Sequence, residues 1–299
     1  MENLVIGIDS GGTHTIAVLC DEKGNVLAQA QTGAASATGT PFDLAMENIK
    51  GAIDAVLCGR QAKCLFAGIS GCGVPENSKN YTEYLKKAYP NIGKIRVDSD
   101  VYNPIYASIG HGDGIVAMCG TGSVAFAQAD GALFRADGDG YLLGDEGGGY
   151  AIGRNTLNAA LRMQDGRLEK GAIYDLCAER LGSPVREKLR ELHEGGKTLI
   201  ASFSPICFQA YAMGDNAARR ILENAAHSMA ESILACAKHI EGDRVPLVLS
   251  GSLWDAGGGL IRELVREEIG PRFAMRALDT DPAYGAAQAA LAMLRGGKV

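Results

Sequence analysis

The sequence lacks several features that mark whole classes of protein. No apolar run approaches about 18 residues, so we expect no transmembrane helix. The amino-terminal residues show no basic segment followed by an apolar stretch, so we expect no signal peptide. The chain has no cluster of about five or more basic residues, and its formal net charge is −6. We therefore expect neither a nucleic acid nor a membrane as a partner.

The eight cysteines form no Cys-x-x-Cys pair and are scattered through apolar segments. This usage predicts free, buried thiols in a reducing compartment, and hence a cytoplasmic protein. The spacings do not indicate a metal or cluster site. The length of 299 residues and the hydrophobic content of 46% suit two domains of ordinary size.

A recurring pattern is present instead: a short apolar strand enters a glycine-rich polar loop and returns as a second strand. The first loop is Asp9-Ser10-Gly11-Gly12-Thr13, and the second is Gly120-Thr121-Gly122-Ser123. Glycine permits tight turns with positive φ and lets backbone N–H groups approach anionic oxygens. The two loops therefore predict a phosphate clamp for a nucleotide, formed by Gly11, Gly12, Thr13, Gly120, Thr121, Gly122 and Ser123.

A carboxylate in the first loop indicates a metal ion. Asp9 would repel phosphate oxygens unless Mg²⁺ lay between them, with water as the direct ligand.

The sequence does not match two other nucleotide-binding motifs. The segment after Gly120-x-Gly122 reads as a strand, whereas a dinucleotide fingerprint needs a helix there. Gly196-Lys197-Thr198 lacks the earlier glycine of a P-loop, because position 191 is Glu.

The order of the elements indicates a duplication. Residues 1–114 read as βββ-α-β-α-β-α, and the pattern repeats from residue 115 with a helical insertion. We therefore predict an α/β fold with two similar domains, 1–114 and 115–299, although the stretch 183–204 does not divide clearly.

Further candidate residues follow strands or precede helices. Asp100 ends a strand at the edge where α/β sheets form their sites, so it is the candidate base for phosphoryl transfer to an alcohol; Asp98 is the alternative. Asp145 and Glu146 lie in a glycine-rich run that precedes a helix, and they are candidates to bind a ligand or Mg²⁺. Gly251 and Ser252 follow an apolar strand and would let an adenine lie against bare backbone.

The ordered motifs resemble one family. They are Gly7-Ile8-Asp9-Ser10-Gly11-Gly12-Thr13, Ile69-Ser70-Gly71, Asp100, Gly120-Thr121-Gly122-Ser123, Gly144-Asp145-Glu146-Gly147, Ser250-Gly251-Ser252 and Tyr284-Gly285-Ala286-Ala287. Over nearly the whole chain this set is similar to the BadF/BadG/BcrA/BcrD group of actin/hexokinase-like ATPases, and within it to the N-acetylglucosamine kinases.

The resemblance implies two duplicated ribonuclease H-like domains with a cleft between them and a last helix, about 284–296, that packs back on the first domain. It implies ATP and Mg²⁺ as cofactors, a cytoplasmic enzyme, and a homodimer, as relatives often are. Asp100 falls where these kinases place the base that deprotonates the sugar. The residues that would face the sugar are Ser36, Ser70, Gly71, Asp100, Thr121 and Asp145.

The implied reaction is phosphorylation of N-acetylglucosamine or a related hexosamine, at the 6-hydroxyl. Relatives often carry an asparagine that contacts the sugar in the loop that corresponds to residues 33–38, and Ser36 is the nearest polar match there. Residues 138–141 read Gly-Asp-Gly-Tyr where Gly-Gly-Trp-Gly is usual.

One alternative function is that of the family's activators of 2-hydroxyacyl-CoA dehydratases, for which Cys72 and Cys119 would be the candidate cluster ligands. The other is a sugar or nucleotide sensor without catalysis.

Overall fold

The computed structural model describes residues 2–110 and 112–297, and the chain forms two compact units. Unit 1 contains the described residues within Met1–His111 and Leu278–Val299, and unit 2 is Gly112–Ala277. The units divide three residues before the predicted boundary at 114, and the last helix, which the resemblance implies packs back on the first domain, falls within unit 1. Within the described ranges, no helix is long and apolar enough to cross a membrane.

Strands and helices are numbered in chain order. The strands are β1 Leu4–Ser10, β2 Thr15–Cys20, β3 Val26–Thr32, β4 Ala62–Ile69, β5 Lys94–Ser99, β6 Gly114–Cys119, β7 Ser123–Ala129, β8 Ala132–Asp137, β9 Val245–Ser250 and β10 Phe273–Ala277. The helices are α1 Phe42–Leu57, α2 Pro75–Ala88, α3 Tyr102–Ser108, α4 Gly149–Gln164, α5 Ala172–Leu181, α6 Leu189–Ala201, α7 Ser204–Ala212, α8 Asn216–Ala237, α9 Leu260–Ile269 and α10 Pro282–Leu294.

The two sheets share one topology. In unit 1 the strand order is β3-β2-β1-β4-β5, and in unit 2 it is β8-β7-β6-β9-β10. In each sheet the first three strands are antiparallel and the last two run parallel to the first. The predicted duplicated α/β fold is therefore confirmed. Five helices, α4 to α8, lie between β8 and β9, whereas α1 alone lies between β3 and β4, so four of the five are the insertion.

Several helices begin at or next to a proline. Pro75 occupies the first turn of α2, where its fixed φ and missing N–H suit the start of a helix. Pro282 likewise begins α10, which spans Pro282–Leu294 rather than 284–296. Pro41 lies at the N-cap of α1. The unclear stretch 183–204 holds a 3₁₀ turn followed by α6, which is interrupted at Gly196 (φ 57°).

Candidate active site

The carboxyl ends of three parallel strands meet at one edge of the unit 1 sheet. Ser10 of β1 pairs with Ile69 of β4, and Ile69 pairs with Ser99 of β5. Because these ends are in register, Asp9, Ser70 and Asp100 come to the same edge of the sheet. This edge is where open α/β sheets place their ligands, so the predicted residues of the first half are brought together.

The first glycine loop is closed at its base and open at its tip. The N–H of Gly11 donates to the carbonyl of His14 (3.1 Å), and the Ser10 and Thr15 hydroxyls share a buried hydrogen bond (2.7 Å). The N–H groups of Gly12 and Thr13 have no hydrogen-bond partner within the described part of the chain. A tip with free N–H groups is a suitable cradle for phosphate oxygens.

Turn geometry is not why glycine occupies this tip. Neither Gly11 nor Gly12 has a positive φ, and the same holds for Gly120 and Gly122 in the second loop. The expectation that these glycines serve positive-φ turns is therefore wrong. A Cβ added at Gly11 or Gly12 would meet no atom within 4 Å, so glycine leaves space at the tip for a ligand to approach the backbone.

Asp9 is held by a residue that the sequence reading missed. The side-chain amide of Asn103, in α3, donates to Asp9 Oδ1 (2.6 Å) and to the carbonyl of Gly68 (3.2 Å). Asn103 is 0% exposed, and its Oδ1 has no hydrogen-bond partner. Burial raises the pKa of Asp9 to about 6, the Asn103 hydrogen bond opposes that rise, and Asp100 adds to it.

Asp100 and Asp98, the two candidate bases, differ in their partners. Asp98 forms an ion pair with Arg96 (2.6 Å) and accepts from the N–H of Ser99 (2.8 Å). Asp100 has no cationic partner among the described residues; its side chain accepts a hydrogen bond from the Ser99 hydroxyl (3.3 Å). Burial raises the pKa of Asp100. A more basic carboxylate without an ion-pair partner suits a proton acceptor, so the geometry favours Asp100 over Asp98.

The predicted sugar residues of unit 1 lie in two loops that contact each other. The N–H of Ala37 donates to the carbonyl of Ser70 (2.8 Å), and the Ser36 hydroxyl lies 3.5 Å from the same carbonyl. Gly71 has φ of +86°, and a Cβ there would lie 2.8 Å from Thr38. Ser36 is buried, whereas Ser70 and Gly71 are half-buried at the sheet edge.

In unit 2 the second glycine loop is joined to the start of α4. The N–H groups of Gly149 and Tyr150 donate to the carbonyls of Gly120 (2.8 Å) and Thr121 (2.9 Å). The carbonyls of the loop therefore complete the amino-terminal turn of the helix. The N–H groups of Thr121 and Gly122 have no hydrogen-bond partner within the described ranges, and Thr121 is exposed.

Ser123 is placed differently from the rest of this loop. It is buried, its hydroxyl donates to Asp137 Oδ2 (2.8 Å), and it accepts from the N–H of Gly147 (3.0 Å). Asp137 also accepts from the N–H of Asp145 (2.7 Å). Ser123 and Asp137 therefore fix the segment that carries Asp145, and Thr121 is the hydroxyl of this loop that is available to a ligand.

Asp145 lies close to the glycine loop and pairs with a lysine of the insertion. It has a positive φ of 58°, and a Cβ added at Gly122 would lie 2.6 Å from its Oδ2. Lys197 Nζ, in α6, lies 3.6 Å from Asp145 Oδ2 and 5.3 Å from the centre of the Tyr141 ring. Burial raises the pKa of Asp145, and Lys197 opposes the rise. Glu146, the alternative acid, is exposed.

The predicted adenosine segment packs directly against the base of the second loop. Gly251 has φ of +108°, and a Cβ there would overlap the carbonyl of Cys119. The indole N–H of Trp254 donates to the carbonyls of Ala117 (3.0 Å) and Ser250 (3.1 Å), which ties the end of β9 to β6. Ser252 is exposed. Glycine is therefore required at position 251 by both the backbone angle and the close approach.

Asp9 is a suitable site for Mg²⁺ that keeps its waters. The described residues contain no group of three or more His, Cys, Asp or Glu side chains that could hold a metal ion. Magnesium in nucleotide sites is commonly held by one or two carboxylates together with waters and phosphate oxygens. Asp9 Oδ1 is bound by Asn103 while no hydrogen bond to Oδ2 occurs among the described residues, which fits that kind of ligation.

The two cysteines named for an iron–sulfur activator are buried. Cys119 is 0% exposed and its thiol donates to the carbonyl of Gly147 (3.4 Å), and Cys72 is 1% exposed. Burial raises the pKa of each thiol to about 12. Cluster ligation needs thiolates that can meet the metal, so these positions give the activator hypothesis no support.

Comparisons with known proteins agree with the motif resemblance. A sequence model described as the BadF/BadG/BcrA/BcrD ATPase family matches residues 6–290. The chain is 27% identical to an N-acetyl-D-glucosamine kinase of Dictyostelium discoideum, over 97% of this chain and 98% of that protein. It is 28% identical to an N-acetylmuramic acid/N-acetylglucosamine kinase of Clostridium acetobutylicum, over 87% of this chain and 86% of that protein.

Solved structures show the same fold. A structure from Chromobacterium violaceum, named as an N-acetylglucosamine kinase, has a TM-score of 0.76 at 24% identity, over 97% of this chain and 99% of that one. A glucokinase of the ROK family from Streptomyces griseus, solved with glucose and AMPPNP, has a TM-score of 0.60 at 18% identity, over 99% of this chain and 100% of that one.

Proposed function

This chain belongs to the BadF/BadG/BcrA/BcrD ATPase family, and from that premise we propose that it is an ATP-dependent kinase of amino sugars. The observation that carries the proposal is the placement of Asp100. It is a half-buried carboxylate of raised pKa at the carboxyl end of β5, free of the ion pair that engages its neighbour Asp98. The curated relatives named above supply the substrate class, N-acetylglucosamine or a related hexosamine.

The phosphates of ATP would be held by backbone donors of both glycine loops. We propose Gly11, Gly12 and Thr13 in the first loop, and Gly120, Thr121 and Gly122 in the second, with Ser123 as a residue that fixes the second loop. Asp9 would hold Mg²⁺ through water, and the ion would supply neutralisation of the phosphate charge. Gly251 and Ser252 would lie against the adenosine.

The chain's own chemistry in this proposal is proton acceptance and positioning. Asp100 takes the proton of the sugar 6-hydroxyl as that oxygen attacks the γ-phosphorus, the bond to the β-γ bridging oxygen breaks, and ADP leaves. Ser36, Ser70, Gly71, Thr121 and Asp145 would bind the sugar. The raised pKa of Asp100 makes it a better proton acceptor than an ordinary exposed aspartate. The homodimer and the cytoplasmic location stay predictions.

A kinetic comparison of two neighbouring variants tests this proposal. Release of ADP from ATP is measured with N-acetylglucosamine, glucosamine, N-acetylmuramic acid and glucose as acceptors. We expect Asp100→Asn to lower kcat by about 10²–10⁴-fold with little change in KM, because a general base contributes on that scale. Asp98→Asn is the matched control, and it should retain most of the turnover.

The outcomes separate the role of the residue from the function of the protein. If Asp100→Asn keeps most of its turnover, the assignment of the base is wrong although the kinase stands. If no sugar stimulates ADP release from the wild-type protein, the kinase proposal itself fails. Phosphorus NMR of the product identifies the phosphorylated hydroxyl.

A further inference from the structure

A polar cavity, open to solvent on one side, lies among helices α4 to α8 of unit 2, and none of the residues assigned above lines it. It has a volume of about 700 Å³ and is lined by the carboxyl-terminal half of α4, the connection that follows it, and the first turns of α8. A volume of this order suits a small organic ligand. It is much larger than a single inorganic anion needs.

The charges that line this cavity are predominantly positive. Arg162, Lys170 and Arg220 contribute three cations, all of them exposed to solvent. None forms an ion pair with a described residue, and Lys170 Nζ lies 4.3 Å from the centre of the Tyr174 ring. Two carboxylates line the cavity, and one of them, Glu169, has no hydrogen bond or ion pair with a described residue. The three cations and two carboxylates of the lining sum to a formal charge of +1, whereas the whole chain carries −6, so the cavity is positive relative to the rest of the protein.

The other carboxylate in the wall, Asp215, is fully engaged. It is buried, its Oδ1 accepts from the N–H groups of Ala217 (2.8 Å) and Ala218 (3.1 Å), and its Oδ2 accepts from the N–H of Ile173 (2.9 Å). One side chain therefore joins the amino-terminal ends of α5 and α8 at the cavity. The helix dipoles add positive potential there, and Asp215 is occupied in balancing them.

The remaining polar lining suits hydroxyl groups. Four asparagines, Asn155, Asn158, Asn216 and Asn224, line the cavity, and each carboxamide offers both donors and an acceptor. Arginine side chains bind phosphate through paired N–H donors. Cations together with carboxamides are the chemistry that recognises an anionic group attached to a polyol.

We propose that this cavity is a binding site for a small phosphorylated polyol, such as a sugar phosphate, distinct from the proposed kinase site. The residues that line this cavity are separate from every residue assigned to ATP or the sugar, so the site would exist whether or not the proposed reaction is correct. Helix α4 links the two regions within unit 2: its first turn binds the second glycine loop, and its second half lines the cavity.

Binding to variants with a matched charge change tests the proposal. Glucose 6-phosphate, glycerol 3-phosphate and inorganic phosphate are titrated by calorimetry into the wild type, into the double variant Arg162→Gln/Arg220→Gln, and into Arg219→Gln. Arg219 neighbours Arg220 on α8 and does not line the cavity. We expect the organic phosphates to bind the wild type and Arg219→Gln equally, and to bind the double variant at least about tenfold more weakly.

A local probe establishes where the ligand sits. Met163 lines the cavity, whereas Met46 lies in the core of unit 1. With methyl-labelled methionine, the NMR signal of Met163 should shift on addition of glucose 6-phosphate and that of Met46 should not. The proposal is overturned if none of the organic phosphates binds, if inorganic phosphate binds as tightly as they do, if the double variant binds unchanged, or if Met163 does not respond.

Discussion

At the scale of single residues, the site holds carboxylates whose burial is unfavourable for stability. Burial raises the pKa of Asp9 from 3.8 to about 6. The folded protein therefore binds a proton at Asp9 more readily than the unfolded chain does. The free energy of unfolding therefore falls as pH rises from 3.8 to about 6, because the folded state disfavours the charged form of Asp9.

Replacing Asp9 by asparagine should therefore stabilise the protein at neutral pH. The carboxamide introduced at this position keeps an acceptor for Asn103 and removes the buried charge, so we expect the free energy of unfolding at pH 7.5 to rise by about 1–3 kcal/mol. Between pH 6 and pH 4 this gain should shrink towards zero, because the wild type then carries a protonated Asp9. Urea unfolding at several pH values measures both effects.

Asp21 is a control of opposite sign. It is half-buried, and hydrogen bonds from the side chain and N–H of Asn25 lower its pKa. The charged form of Asp21 therefore stabilises the folded protein at neutral pH, and this stabilisation is lost as pH falls below the ordinary aspartate pKa of 3.8. Asp21→Asn should consequently destabilise the protein at pH 7.5. If Asp9→Asn destabilises the protein at pH 7.5, as Asp21→Asn is expected to do, the assignment of the buried charge to Asp9 is wrong.

Residue positions were predictable where a motif or a strand end marked them. Asp9 and Asp100 follow apolar strands, and that pattern alone places them at one edge of a sheet. Asn103 was missed because a single asparagine in a seven-residue helix has no recognisable spacing. Its contact joins residues 94 positions apart, and folding alone brings them together. Lys197 and Asp137 were missed for the same reason.

At the scale of elements, glycines have two separate uses that a sequence does not distinguish. Gly7 in β1 and Gly285 in α10 lie where a Cβ would overlap backbone atoms of the facing element: Ala287 for Gly7, and Asn103 for Gly285. These glycines let α10 pack closely on β1 and α3. Gly12, by contrast, lies in a tip where an added Cβ meets nothing.

Paired alanine substitutions separate these uses. Gly285→Ala should lower the free energy of unfolding by about 1–3 kcal/mol, because an added methyl group forces packed backbone apart. Gly12→Ala should leave stability unchanged, since its φ is not positive and the space is open. It should nevertheless lower kcat/KM for ATP by about tenfold or more, because the methyl group would stand where phosphate is proposed to bind.

Thermal unfolding and ATP kinetics of both variants check this contrast. A stable Gly285→Ala protein would show that α10 adjusts to the extra volume. Full activity of Gly12→Ala would show that the first loop is not part of the proposed phosphate site.

Strands and their loops were predictable because apolar runs end in glycine or acidic residues. The region 183–204 was not, because Gly196 breaks the regular period of α6.

At the scale of the whole molecule, the two units differ in how the chain forms them. Unit 2 is continuous in sequence, and one hydrophobic core lies wholly inside it, with Phe203 among its fully buried residues. Unit 1 is discontinuous: the core on one face of its sheet combines Val5, Cys64 and Phe66 with residues of α10.

Fragments of the chain should therefore fold to different extents. We expect residues 112–277 to fold alone, with helical circular dichroism and a cooperative thermal transition, because their core is complete. Residues 2–110 alone should lack a cooperative transition, because the face that α10 covers would expose its apolar side chains to water. A single chain that joins 2–110 to 278–297 through a flexible linker should regain the transition. A cooperative transition of 2–110 without α10, or none in 112–277, would contradict this division, since core completeness would then not decide which part of the chain folds.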